Sequence, residues 1–183
     1  MRRIALLLIC LLALSAAQGC AVYKAAKDER TMGNMVDDEW ITAQIKADFL
    51  KDDIVKYLDF DAASYEGAVY LVGEYESQAQ IDRAKQIARG VEGVRSITVY
   101  MLPKDENDVC GTADNLELEA KLNKLLIEDK QIKSTNVDVM MVRCHMVLLG
   151  IVGTQYEIDK SIEYAHSVPG VRSVKSYLRL AHK

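Results

Sequence analysis

The chain has 183 residues, of which 50% are hydrophobic and 27% charged, the balance of a folded soluble protein. Only two prolines occur, which excludes long Pro-rich linkers, and the formal net charge of −4 makes nucleic acid a poor partner.

The N-terminus reads as an export signal. Arg2 and Arg3 form a basic start, and Ile4 to Ala17 carries no charge and is mostly apolar. That run is too short to cross a hydrocarbon core of about 30 Å comfortably as a helix. It ends in Ser15-Ala16-Ala17-Gln18-Gly19-Cys20, where a small residue before cysteine resembles a lipobox. Cleavage there would leave Cys20 to carry the lipid, with Ala17 standing where the motif usually has leucine. The alternative is ordinary cleavage after Ser15-Ala16-Ala17, giving an unanchored periplasmic protein. Ala21, rather than Asp, follows the cysteine, which in enterobacterial lipoproteins resembles an outer-membrane destination; an inner-membrane anchor stays open. Residues 1–19 are thus read as signal peptide and 20–35 as lipidated N-terminus and polar tether.

Beyond the tether the chain repeats itself. A shift of 77 residues lays 37–102 on 114–179 without a gap. Leu71 and Gly73 fall on Leu148 and Gly150, and Gly93-Val94-Arg95-Ser96 falls on Gly170-Val171-Arg172-Ser173. In each copy a helix is expected to open after Asp37/Asp38 or Asp114/Asn115, residue types that cap helices. Its core stripe is Ile41, Ile45, Phe49 in one copy and Leu118, Leu122, Leu126 in the other. Two strands follow with two-residue turns, Phe60–Tyr65 and Ala68–Val72, then Val137–Val142 and His145–Leu149. Ser77-x-x-Gln80 and Thr154-x-x-Glu157 fit the capping box of a second helix. A last strand, Val94–Leu102 or Val171–Leu180, closes each unit. The expected class is α+β: two tandem α-β-β-α-β units at 36–102 and 114–180 joined by a linker at 103–113. Each is a three-stranded mixed sheet with its strand–helix–strand crossover parallel, covered on one face by two helices. About 65 residues is marginal for a lone domain, so mutual support between the copies is expected.

This pattern resembles the BON domain, named for bacterial osmotic-induction and nodulation proteins. The residues that carry the resemblance are Val69-Tyr70-Leu71-Val72-Gly73, Ser77, Ile81, Ala84, Ala88 and Val91-Glu92-Gly93-Val94. The second copy supplies Met146-Val147-Leu148-Leu149-Gly150, Ile158, Ala165 and Val168-Pro169-Gly170-Val171. With a signal peptide and a lipid cysteine, the chain looks like the dual-BON outer-membrane lipoproteins. That resemblance implies a role in envelope integrity or stress tolerance and binding of anionic phospholipid through the second copy. Gly73, Gly93, Gly150 and Gly170 read as architectural, the first and third at strand ends and the others at positive φ between helix and strand.

Of four cysteines, Cys10 leaves with the signal and Cys20 takes lipid. An oxidising compartment favours pairing Cys110 with Cys144. Two free thiols, or a metal held with His145, are the alternatives, although no CxxC or HxxxH spacing supports the latter. No nucleophile–base set, Walker loop or dinucleotide fingerprint is present, so no enzyme activity, metal or cofactor is expected. Charge is more informative. Copy one (37–102) has 13 acidic and 7 basic residues, whereas copy two (114–183) has 9 and 10. Copy two is therefore the half suited to an anionic surface. The candidate phospholipid site is its first helix, with Lys121 and Lys124 flanking exposed leucines, Leu118 and Leu125 among them. Membrane phospholipid is the expected partner. The other readings are an adaptor or scaffold gripping another envelope protein, and an unanchored periplasmic osmotic-stress protein; oligomeric state is left open.

Overall fold

A computed structural model describes residues 28–55 and 59–182. The signal sequence, Cys20 and most of the tether lie outside them. In copy one, helix α1 spans Met32–Lys51, strands β1 and β2 span Phe60–Tyr65 and Ala68–Tyr75, helix α2 spans Gln78–Gly90, and strand β3 spans Ser96–Pro103. In copy two, helix α3 is Thr112–Glu128, followed by a single 3-10 turn at Ser134–Asn136, strands β4 (Asp138–Val142), β5 (His145–Leu149) and β6 (Ile151–Val152), helix α4 (Gln155–Ser167), and strands β7 (Ser173–Ser176) and β8 (Arg179–Leu180).

Each copy builds the expected mixed sheet. β1 pairs antiparallel with β2, Phe60 against Gly73 through Tyr65 against Ala68, and β2 pairs parallel with β3 from Ala68/Ser96 onward. Copy two repeats the order β4-β5-β7. Its long strands are interrupted, at Gly150 and at Tyr177-Leu178, and β6 and β8 resume the parallel pairing beyond the breaks. The last strand expected as one run over 171–180 is therefore two short pieces, and β2 runs past Gly73 to Tyr75. Gly73 consequently lies within a strand rather than at its end. A Cβ there would collide with the backbone carbonyl of Asp59, and one at Gly150 with that of Asn136. Close approach of neighbouring backbone is what demands glycine at both positions.

The first helices begin earlier than their acidic residues suggest. Thr31 caps α1, its Oγ1 accepting from Asn34 N–H at 3.2 Å, and Gly111 precedes α3. Asp38 and Asn115 are inside the helices and serve the hairpins instead. The Asp38 carboxylate accepts from the backbone N–H groups of Glu66 (2.7 Å) and Gly67 (2.9 Å) and from the Ser64 hydroxyl (2.7 Å). Asn115 Oδ1 accepts from Cys144 N–H at 2.9 Å. Both turns need this help, because Glu66 and Gly67, like Arg143 and Cys144, hold positive φ.

Three cores result. Ile41, Ile45, Phe49, Leu71, Ala84 and Ala88 pack between the helices and the sheet of copy one. Leu118, Leu122, Leu126, Met146, Leu148 and Ala165 do the same in copy two. The third core joins the copies: Tyr65, Tyr70 and Val72 meet Val142, Val147, Leu149 and Ile151. In β2 the alternate residues Val69 and Leu71 face the helices while Tyr70 and Val72 face the other copy. The sheets thus stand back to back with the helices outermost. Polar contacts seal the junction, among them Tyr65 Oη donating to Asp138 at 2.5 Å and Arg179 Nη2 donating to the Tyr65 carbonyl at 2.8 Å.

The end of the tether is fastened to this body. Arg30 bonds Asp28 and Asp38 and stacks on the Tyr65 ring at 5.1 Å, while Glu29 pairs with Lys133 of copy two. Residues 28–31, which the sequence places in the polar tether, therefore touch both copies.

Candidate membrane-facing surfaces

The back-to-back arrangement turns the outer faces of α1 and α3 to solvent, and there the proposed lipid-contact residues separate. Leu118 is 5% exposed and belongs to the core of copy two, so it does not form a lipid-contacting edge. Leu125 is half-buried against the same core. The exposed large apolar residues of α3 are Leu116 (62%) and Ile127 (68%). The reason is the helical angle: 118, 122 and 126 repeat every four residues on the sheet side, and 116 and 127 lie three turns apart on the outward side. Lys121 and Lys124 are exposed as expected, each paired with a glutamate on the same helix: Lys121 with Glu117 at 2.6 Å and Lys124 with Glu128 at 3.8 Å. Solvent-exposed i,i+4 pairs of this kind hold weakly, so both ammonium groups can exchange a carboxylate for another anion.

Cys110 and Cys144 form a disulfide, with Cα atoms 6.0 Å apart. It ties the linker to the second hairpin turn, the position that Gly67 occupies in copy one. Around it lies a cluster of charge. Asp108 accepts from Arg172 Nη1 at 2.6 Å and lies 3.5 Å from Arg143, which also reaches Glu74 of copy one at 3.4 Å. The Arg172 hydrogen bond, helped by the Cys110 N–H, holds the Asp108 carboxyl down at about 2. Burial, reinforced by Arg172 and Arg143, lowers the basicity of His145, whose Nδ1 is 2.7 Å from Ser173 Oγ. Sequence spacing gave no sign of this cluster, since its members come from a linker, a turn and two strand ends.

Among the described residues, no group of three or more His, Cys, Asp or Glu side chains is placed to hold a metal ion, and no helix is long and apolar enough to cross a membrane. A groove of about 480 Å³ lies between the copies, lined by Lys46, Asp61, Glu74, Leu116, Glu119 and Arg143.

The chain is 34% identical over 150 residues to osmotically-inducible protein Y of Escherichia coli, covering 81% of this chain and 75% of that protein. It is 28% identical over 157 residues to the outer membrane lipoprotein DolP of Haemophilus influenzae, covering 85% and 81%. Among solved structures, CdsD, a structural protein of the type III secretion system of Chlamydia trachomatis, aligns with a TM-score of 0.32 and 14% identity over 78% of this chain; the chain spans 62% of that one. The BON domain family matches twice, at residues 37–102 and 114–181. With the duplicated α-β-β-α-β unit in view, the chain belongs to the BON domain family and carries two tandem copies of the domain.

Proposed function

We propose that this envelope-associated BON protein is a binding lipoprotein, not an enzyme: it is held by lipid at Cys20, lies against a phospholipid surface on the periplasmic side of the outer membrane, and supports envelope integrity. The observation that carries the reading is the exposed surface of α3, which combines Leu116 and Ile127 with Lys121 and Lys124 in the less acidic copy. Exposed aliphatic residues bordered by lysine suit the boundary between acyl chains and anionic head groups. The lipobox-like end of the apolar N-terminal run and the likeness to an outer membrane lipoprotein of Haemophilus influenzae support the anchor. The test is co-sedimentation of the full Cys20→Ser chain with vesicles of varied anionic content. Binding should rise with anionic lipid, weaken with salt, and drop in a Lys121→Glu/Lys124→Glu variant. Equal binding by that variant rules the α3 face out.

The groove between the copies favours a second reading, an adaptor that receives a segment of another envelope protein. Cross-linking from a photoreactive residue at Glu119 to a protein, together with absence of vesicle binding, would select it.

A further inference from the structure

A second exposed apolar surface lies on copy one, and it differs in chemistry from the α3 face. Helix α1 buries Ile41, Ile45 and Phe49. On the opposite side Met32, Val36, Trp40, Ala43, Ala47 and Leu50 follow at intervals of four, four, three, four and three residues, one per turn for five turns. Met32, Val36, Trp40 and Leu50 are each more than half exposed. No polar residue interrupts this stripe, which runs the roughly 30 Å length of a twenty-residue helix. Polar residues confine it on both sides: Asp37, Gln44 and Lys51 on one, Glu39 and Lys46 on the other. A solvent-facing apolar band of this length marks a contact surface rather than chance exposure.

The duplication shows that the fold does not require it. In the 77-residue register the partners of Trp40 and Ala47 are Glu117 and Lys124, both exposed, and α3 packs on its sheet equally well. Copy two keeps Ala113, Ala120 and Ile127 on this face but breaks it with those two charges, so the uninterrupted stripe is particular to copy one, on a face that architecture leaves free.

Its place in the chain indicates what covers it. α1 is the first helix or strand among the described residues, and its cap, Thr31, follows residues that grip the body through Arg30 and Glu29. From Cys20 to Asp28 the chain reaches at most about 28 Å. A lipid at Cys20 would hold Asp28 within that distance of the bilayer, and the start of α1, four residues on, within about 43 Å. Asp37 and Glu39 offset Lys46 and Lys51, so the flanks carry no net positive charge and attraction to anionic head groups does not account for docking there; burial of the stripe does.

We infer that α1 of copy one docks on the bilayer through the Met32–Leu50 stripe, by apolar insertion of Trp40 and its neighbours and without need of anionic lipid. This rests on the reading of Cys20 as the lipid anchor and adds a second, charge-independent contact to the one proposed for α3.

Trp40 is the single tryptophan of the chain, so its fluorescence reports on the stripe alone. The lipidated chain is reconstituted in vesicles of zwitterionic phosphatidylcholine, with and without chain-brominated lipid. The expected result is a blue-shifted Trp40 emission that brominated lipid quenches and that added salt leaves unchanged. In the Cys20→Ser chain, Trp40→Glu, which installs the residue type of copy two, should lower the fraction bound to the same vesicles about tenfold. Val36→Glu should do so while keeping the fluorophore. Three results overturn the inference. If Trp40 emission stays water-like while vesicles bind in a salt-sensitive way, α3 alone makes the contact and the functional reading stands. If emission shifts with protein concentration in the absence of vesicles, and dimers sediment, a second copy covers the stripe. If no vesicle of any composition alters Trp40 or pellets the Cys20→Ser chain, the functional reading fails as well.

Discussion

Asp38 is the residue whose replacement tests most severely how these units hold together. It is 2% exposed and accepts from Glu66 N–H, Gly67 N–H, the Ser64 hydroxyl and Arg30 Nη1, the last at 2.9 Å. Alanine there would strand two N–H groups of a positive-φ turn and leave the buried Arg30 guanidinium paired with Asp28 alone. Hydrogen bonds to a charged group contribute about 1.5–3 kcal/mol each but do not add, and breaking a buried ion pair from one side costs about 3–5 kcal/mol. Asp38→Ala should therefore lower unfolding stability by about 3–5 kcal/mol, a large part of the roughly 5–15 kcal/mol a domain has. Asp38→Asn should fall between, because the amide oxygen can still accept from the turn, as Asn115 Oδ1 does from Cys144 N–H. Urea titration followed by circular dichroism gives the numbers, provided the denaturant slope is unchanged. An Asp38→Ala midpoint corresponding to less than about 1 kcal/mol would refute the role assigned to this carboxylate.

Three further outcomes follow from the same structure. Reducing Cys110–Cys144, which closes a 34-residue separation, should cost about 3–4 kcal/mol on the chain-entropy estimate; an unchanged urea midpoint with reductant would contradict it. Leu149→Ala, in the core between the sheets, should cost about 2–5 kcal/mol and separate the Trp40 fluorescence transition from the loss of helix signal; coincident transitions at the parent midpoint would show that the copies do not depend on each other. Acid should loosen copy two in two steps. His145 has a lowered pKa in the fold, so the unfolded chain binds its proton first, and stability is complete above about 6.5 and falls as pH drops through that value. Asp108, held at about 2, contributes fully above the ordinary carboxylate value of 3.8 and loses that contribution as pH falls toward 2. In melting curves, His145→Gln should remove the upper step only; an upper step that persists would assign it elsewhere.

Much of the fold was legible because local signals agreed with one another. Phe60–Tyr65 and His145–Leu149 have the bounds that alternation and two-residue turns predict, and Thr154/Glu157 form the expected capping box, Thr154 Oγ1 accepting from Glu157 N–H. Asp38 and Asn115 were misread for a physical reason. A short acceptor suits any cluster of free N–H groups, and here the nearest belong to a hairpin turn 28 residues away rather than to the helix start. Thr31 and Asn34 held the true start signal, but a polar stretch behind a lipid cysteine reads as tether. Leu118 was assigned to lipid contact because α3 has leucine on three sides, and only packing decides which side meets the sheet. The α1 stripe leaves little trace in the sequence, since a helix apolar on two opposite faces has little net amphipathicity and Ile41, Ile45 and Phe49 already account for its core. The shared core needed the structure, because alternation in β2 shows that Tyr70 and Val72 face away from the helices but not what they meet.

The most direct measurement places the protein on a bilayer and asks which residues touch it. In solution NMR of the Cys20→Ser chain with nanodiscs containing spin-labelled phospholipid, line broadening should concentrate at residues 32–50 of α1 and 116–127 of α3 and spare α2 and α4. Broadening centred on α2 or α4, or none at any lipid composition, would contradict a body that meets the membrane through the outward faces of its two first helices.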